Sequence, residues 1–344
     1  MKFAKSFLLS AVLLSLGVSA ASAQEVTLKI GHFLPGVAPA QTKVMQPWCD
    51  ALQQQSNGRI RCQFYPAMML GGTPPQLVDQ VKNGVADIVW TAPGYAAGRF
   101  PKTEALEMPG VLPLGGLAGS RVIWSFYEQQ LKDEYANFKV LTMHGDGGMC
   151  LHTAKKEIKD VGDFAGLKLR APNKMISRTL ASLGAAPVAM PPAQVTEAIS
   201  KGVVDGASAV WENVVATKLD EVTKFHTETP ADKPAMGATV LVMLMNKDKY
   251  NALPEDLKAI IDRNSGAALV ERFGKSWDES IAANRDKVKA KGDPIVVLSN
   301  EVYANMRKKA ETVEKEWIAE SQGKGFNGEA LLAAARAIAK KSSH

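Results

Sequence analysis

Cysteine is scarce in this chain of 344 residues: there are three, and no two stand in a C-x-x-C spacing. That excludes a dithiol redox motif and the usual cysteine-rich zinc frameworks. Beyond the first two dozen residues no apolar run approaches the roughly 18 residues of a membrane span. Neither a low-complexity tract nor a long block of like charge occurs. The fingerprints G-x-S-x-G, G-x-x-x-x-G-K-[ST] and H-E-x-x-H are all absent, so nothing argues for an enzyme. The formal net charge of +6 comes from dispersed residues, without the basic stripe that nucleic acid requires. His144, Asp146, Cys150 and His152 crowd into nine positions, but their spacing fits no zinc pattern, and neither metal nor cofactor is expected.

What is present begins with an export signal. Lys2 and Lys5 form a positive start, Phe7 to Val18 an apolar core, and Ala21-Ser22-Ala23 a cleavage site. Residues 1–23 are therefore read as a signal peptide, with the mature chain starting at Gln24 and residing in the periplasm. In an oxidising compartment a cysteine pair is expected to close. Three pairings are possible. Cys49 on the first helix and Cys62 on the following strand are the pair chosen, with Cys150 left over.

The chain is organised around residues 166–213. Leu167 to Arg170 alternates as a strand, Asn173 to Leu183 carries one apolar helical face, and Pro187 to Met190 is a second strand. Ala193 to Ser200 is a helix stopped at Gly202, and Val203-Val204 enter a third strand. This βαβαβ order implies a parallel sheet whose ligand lies beyond the carboxyl ends of its strands. The segment around Gln194, Glu197, Gly202, Val203 and Asp205 matches Gln76, Asp79, Gly84, Val85 and Asp87 at a constant offset of 118. A glycine-stopped helix before a strand is common. If the match is a repeat, the protein has two similar lobes. Asp87 and Asp205 are read as structural caps. Elsewhere, Val26 to Ile30 starts the first sheet and Phe33 follows it on a loop. Gln41 to Gln55 is a helix with Pro47 as a break, Ser120 to Leu131 another helix, and Val240 to Met245 a buried central strand. Pro254 to Ala290 reads as one long helix with soft points at Gly266 and Gly274.

Three motifs carry a resemblance. They are the G-x-K-x-R-x-P strand closing on Arg170, the L-G-A-x-P-V-x-M run at 183–190 with G-V-V-D-G at 202–206, and M-N-K-x-x-Y-x-x-L-P at 245–254. Together they resemble the binding proteins of TRAP (tripartite ATP-independent periplasmic) transporters, over nearly the whole mature chain. The resemblance implies an α/β, two-lobed periplasmic binding protein fold. Lobe I would hold 24–143 and about 234–270, lobe II 144–233 and about 271–344, with a ligand cleft between them and a long helix spanning both. It also implies that Arg170 pairs with a ligand carboxylate. A second arginine common in the family falls in a G-x-R-x-x-T pattern, where this chain keeps Gly148 and Thr153 but has Cys150.

The expected ligand site is Arg170, Trp211, Trp90, Phe33, Tyr95, Asn213, His152 and Met190. A guanidinium matches a carboxylate fork to fork. The competing reading of Arg170 is a strand-end residue paired with Asp163 or Glu197, and that of the aromatic residues is packing under loops. Glu212 reads as a hinge or lobe contact. The expected function is a receptor, monomeric, that captures a small organic acid and delivers it to TRAP membrane permease subunits. The acid is a C4-dicarboxylate, a sugar acid or an aromatic acid. The alternatives are the binding protein of an ATP-driven (ABC) importer, or an exported enzyme on the same scaffold with His32, His144 or His152 as base.

Overall fold

A computed structural model of the chain describes residues 26–342; the signal segment and the cleavage point lie outside the described residues. Among the described residues eleven strands form two sheets. The first contains β1 (Val26–His32), β2 (Ile60–Tyr65), β3 (Ile88–Thr91), β4 (Phe138–Gly145) and β10 (Val240–Asn246), in the order β2-β1-β3-β10-β4. The second contains β5 (Cys150–Thr153), β6 (Lys168–Ala171), β7 (Ala186–Ala189), β8 (Gly206–Ala209), β9 (Phe225–Glu228) and β11 (Ile295–Val297), in the order β11-β9-β5-β8-β6-β7. Ten α-helices flank them among the described residues: α1 (Gln46–Gln55), α2 (Leu77–Lys82), α3 (Gly116–Phe126), α4 (Lys174–Ser182), α5 (Pro192–Ser200), α6 (Lys247–Asn251), α7 (Glu255–Arg263), α8 (Ala267–Ala290), α9 (Asn300–Gly323) and α10 (Gly328–Ser342). None of them is long and apolar enough to cross a membrane.

The same unit builds both sheets. β1 lies between β2 and β3, parallel to each, and β6 lies between β7 and β8, parallel to each. The offset of 118 holds down to single hydrogen bonds. Gly84 and Gly202 both sit at positive φ, 73° and 68°. The following Val85 and Val203 N–H groups each reach back 2.9 Å to the carbonyls of Gln80 and Ala198, a Schellman closure that only a left-handed residue permits cheaply. Asp87 Oδ2 then accepts the Lys29 N–H and Asp205 Oδ2 the Lys168 N–H, each at 2.8 Å. Asp205 thus caps the entry of β6, and Asp87 holds β1 just before its pairing with β3 begins at Ile30.

β10 is buried from Val240 to Met245 and runs antiparallel to β3 and β4 on either side. Its run of apolar side chains reflects a strand covered on both faces. The segment expected to form one long helix is two: the chain breaks over 264–266, where Gly266 takes φ 62° and its N–H donates to the Leu141 carbonyl at 2.6 Å. Gly274, read as a soft point, is a contact instead. A Cβ there would lie 2.5 Å from Leu117 Cα, so α8 and α3 touch backbone to backbone. This close packing also starts α3 at Gly116, four residues before the apolar pattern suggests. α8 begins in the core of the first sheet, with Phe273 and Trp277, and ends at Val288 in a cluster with Cys150 and Trp211 of the second. α10 packs back against α3.

Gly206 shows why G-V-V-D-G ends in glycine. A Cβ on it would stand 2.4 Å from the His152 carbonyl oxygen and 2.8 Å from Thr153 Cα, both backbone. Gly206→Ala must push β5 aside and is expected to cost about 1–3 kcal/mol. Gly202→Ala meets no neighbour within 4 Å and bears only the left-handed backbone penalty, about 1–2 kcal/mol. Urea denaturation of both variants checks the first cost. An unchanged midpoint for Gly206→Ala would mean that the two strands are not held this closely.

Candidate functional site

Two segments carry the chain between the sheets on this side: 146–149 after β4, and 229–239 before β10. Asp146 clasps them, accepting the Gly148 N–H with Oδ1 at 3.0 Å and the Thr239 N–H with Oδ2 at 2.8 Å. Beside this clasp lies a cavity with about 650 Å³ of non-atom space, part of it open to solvent. One wall comes from the ends of the first sheet and its loops, with Phe33, Leu34, Trp90, Tyr95 and Leu241. The other comes from the second sheet and α5, with Arg170, Pro172, Val195, Val210 and Asn213. The cavity therefore opens at the carboxyl ends of parallel strands, where side chains from both sheets converge.

Arg170 is buried at 4% exposure at the end of β6. Its Nε donates to the Met190 carbonyl and its Nη1 to the Ser208 carbonyl, both at 3.1 Å. Nη2 is buried and has no hydrogen-bond partner. The two alternatives weighed for it do not occur: Asp163 is engaged by Lys156 and the backbone of 159–160, and Glu197 by Lys201. Burial lowers the Arg170 pKa, and the adjacent Tyr95 hydroxyl opposes that effect. No hydrogen bond of normal geometry closes between them. Arginine stays protonated even so. The cavity wall thus holds a fixed cation whose fork is anchored by two neutral carbonyls and whose last arm is open.

The aromatic wall is rigid. Trp90 is fully buried, stacks on Phe33 at 5.0 Å, and donates its indole N–H to His144 Nε2 at 2.9 Å. Tyr95 meets the Phe33 ring edge-on at 5.2 Å. Burial pushes the Tyr95 hydroxyl up to about 12, with Arg170 pulling the other way, so it is a neutral phenol at pH 7.

Of the eight residues expected at the site, Arg170, Trp90, Phe33, Tyr95 and Asn213 line this cavity. Three do not. Trp211 is buried against His152 and His226, at ring distances of 4.9 and 5.2 Å, and its carbonyl anchors Asn284 of α8. His152 is sealed inside the second sheet, with Nδ1 2.7 Å from His226 Nδ1. Met190 contributes its carbonyl to Arg170, while its partly buried side chain packs against a hydrophobic cluster of the second sheet. Cys150 is likewise buried there. Among the described residues, no basic residue other than Arg170 lines the cavity. Arg121 and Arg178 are bound to Glu271 and Glu320.

The residues that pattern reading missed are acidic or hydroxylic: Asp146, Glu212, Thr217 and Thr239. Burial raises the Asp146 carboxyl to about 6 and the Glu212 carboxyl well above its ordinary value, and the Asp146 charge adds to the rise at Glu212. None of the four described histidines lines the cavity. His32 is held by Gln41, and His144 by Trp90 and a 3.9 Å stack on Phe273. No group of three or more side chains suited to a metal occurs among the described residues.

Residues 30–321 match the family described as bacterial extracellular solute-binding protein, family 7. The chain is 38% identical to a TRAP solute-binding protein from a marine metagenome, described as specific for aromatic acid ligands and solved with 3-hydroxybenzoate. That match covers 93% of this chain and 100% of the other at a TM-score of 0.90. It is 39% identical to a TRAP solute-binding protein of Rhodoferax ferrireducens T118 solved with copurified benzoate, covering 92% and 98% at a TM-score of 0.89. A Bordetella bronchiseptica TRAP protein with bound mandelate is 27% identical, covering 92% and 99%, with a TM-score of 0.83.

Proposed function

The chain belongs to family 7 of the bacterial extracellular solute-binding proteins, the receptors of TRAP transporters, and from that premise we propose that its own ligand is an aromatic monocarboxylate. The observation that carries this reading is the cavity's single cation. Arg170, anchored by two carbonyls and open at Nη2, faces the Phe33, Trp90 and Tyr95 wall. One carboxylate neutralises the guanidinium, and an aryl ring fills an apolar space of this kind by offset or edge-on packing. A C4-dicarboxylate is disfavoured because its second charge would meet Asp146 and Glu212, where Cys150 stands in place of the family's other arginine. The solved relatives that hold benzoate and 3-hydroxybenzoate support the same class.

Export to the periplasm and delivery of the acid to membrane permease subunits belong to this proposal. So do the lobe boundaries, 24–143 with about 234–270 and 144–233 with about 271–344, except that α10 packs back onto lobe I. A thermal-shift screen tests the ligand class. Benzoate at 100 times its dissociation constant adds roughly 2.7 kcal/mol of stability, whereas succinate and galactonate at equal concentration add little. A larger shift with succinate overturns the reading.

The acids make the affinity depend on pH. Asp146 faces Glu212, with Tyr95 and Glu107 nearby. Below pH 6 Asp146 is protonated in the free protein, and an incoming anion meets a neutral group. Above pH 6 it is ionised, and the anion must either bear the repulsion or drive proton uptake. Benzoate affinity is therefore expected to fall between pH 5.5 and 7.5, by up to about tenfold for each unit by which the anion raises the Asp146 pKa. Titration calorimetry across that range measures it. Flat or rising affinity would place Asp146 out of reach of the bound charge.

A further inference from the structure

We propose that Glu212 reads a hydroxyl group on the ring of the bound acid, making the site selective for hydroxylated aromatic carboxylates over their unsubstituted parents; this rests on the aromatic-acid reading above. Glu212 lies on the short turn after β8 and is 1% exposed, yet it lines the cavity. Its Oε1 accepts the Gly147 N–H at 3.3 Å. Its Oε2 is buried without any hydrogen-bond partner. A buried acceptor removed from water and left unmatched is an unfavourable state that a donor on the ligand relieves.

Among the described residues none donates to Oε2. Both oxygens of Asp146 are already taken by backbone N–H groups. The charges that act on Glu212 come from Asp146 and Asp278, both acids. Arg285, on the same helix as the Asn284 that binds the Glu212 carbonyl, is held by both oxygens of Glu228. Cys150, buried nearby, is a weak donor and turns its sulfur toward the Gly148 carbonyl at 4.0 Å. The cavity therefore has two polar poles: a cation with one open donor, and a carboxyl with one open acceptor. A hydroxybenzoate or hydroxyphenylacetate carries both complements on one rigid frame, an anion for Arg170 and an O–H for Glu212. A hydroxyl both donates and accepts, so it also matches Glu212 when burial keeps that carboxyl protonated.

The test is calorimetric titration of the mature chain with benzoate, the three hydroxybenzoates and the three chlorobenzoates, on wild type, Glu212→Gln and Glu212→Leu. The chloro acids match the hydroxyl in occupying space but do not donate. The expected result is one hydroxy isomer binding about tenfold or more tighter than both benzoate and its chloro counterpart. Glu212→Leu, which offers no hydrogen-bonding group, should lower that preference by about tenfold, and Glu212→Gln, whose amide keeps one, should retain part of it. Benzoate binding with no hydroxyl preference, or a preference unchanged in Glu212→Leu, overturns the assignment of Glu212 alone. Failure of every benzoic acid to bind overturns the aromatic-acid reading beneath it. If Glu212→Leu does not fold, the same comparison on Glu212→Ala decides the question.

Discussion

Arg170→Ala is expected to weaken binding of the cognate carboxylate by roughly 10²- to 10³-fold or more. The guanidinium is almost wholly buried, and its contacts outside the ligand are to the neutral carbonyls of Met190 and Ser208. The bound carboxylate would be its counter-charge, in a space largely stripped of water. Removing one partner of such a desolvated pair costs about 3–5 kcal/mol, and every 1.4 kcal/mol is tenfold in affinity. Arg170→Lys should recover only part. An ammonium lacks the planar fork, and it cannot hold the two carbonyls while also reaching the ligand. The variant should remain folded, because it removes an unpaired buried charge. Calorimetric titration of Arg170→Ala with the acid found in the screen is the measurement. Affinity within about threefold of wild type in a folded variant would place the anion elsewhere. Arg121 and Arg178 are poor substitutes, since each is already bound to a glutamate on the surface.

Much of this arrangement was legible in the residues because local chemistry and tertiary position agree there. A run without a polar residue from Val240 to Met245 fits only a strand covered on both faces, and it is the inner antiparallel strand of the first sheet. The helix, glycine and aspartate pattern at 76–87 and 194–205 is a sequence of backbone requirements: a left-handed stop, a return bond and a strand-entry cap. It therefore reads the same in both halves. Arg170 was singled out because its place at a strand end and its family motif coincide, and it lines the cavity.

The misses have a common cause in side-chain direction. β5 is buried along its whole length from Cys150 to Thr153, so alternation could not tell whether His152 faces the cavity or the sheet interior. Trp211 begins a single 3₁₀ turn, where no periodicity fixes the ring, and the core took it. Glu212 was read as a hinge or lobe contact, and its Oε1 does accept the Gly147 N–H of the crossover. Its place on the cavity wall and its unmatched Oε2 become visible only once β8, α8 and the 146–149 crossover are brought together. Gly266 was read as a soft point, and the chain does break there; what holds the break is the Leu141 carbonyl, more than a hundred residues away in sequence. Gly274 marks close helix packing rather than a bend, a distinction that depends on Leu117.

Cys49→Ala/Cys62→Ala, or full reduction of the wild type, is expected to lower stability by about 3 kcal/mol. Cys49 on α1 and Cys62 on β2 are joined, with Cα atoms 6.0 Å apart and a separation of 13 positions. A bridge closing a loop of roughly 15 residues removes about 3 kcal/mol of chain entropy from the unfolded state, within a usual range of 2–4. The bridge pins α1 to the edge strand of the first sheet, where β2 has a neighbour only in β1. A bond that persists this way fits an oxidising compartment, so its presence bears on export as well as on stability. Cys150 is buried, and the surrounding apolar packing raises its thiol pKa well above the ordinary value, so it should be inert until the chain unfolds. Alkylation of periplasmically expressed protein in denaturant without reductant should therefore add one label, at Cys150, and none at Cys49 or Cys62. Denaturant titration of the double-alanine variant should show the lower midpoint, with affinity for the ligand within threefold of wild type because neither cysteine lines the cavity. Labels on all three cysteines, or an unchanged midpoint, would mean that the first sheet holds its edge by packing alone.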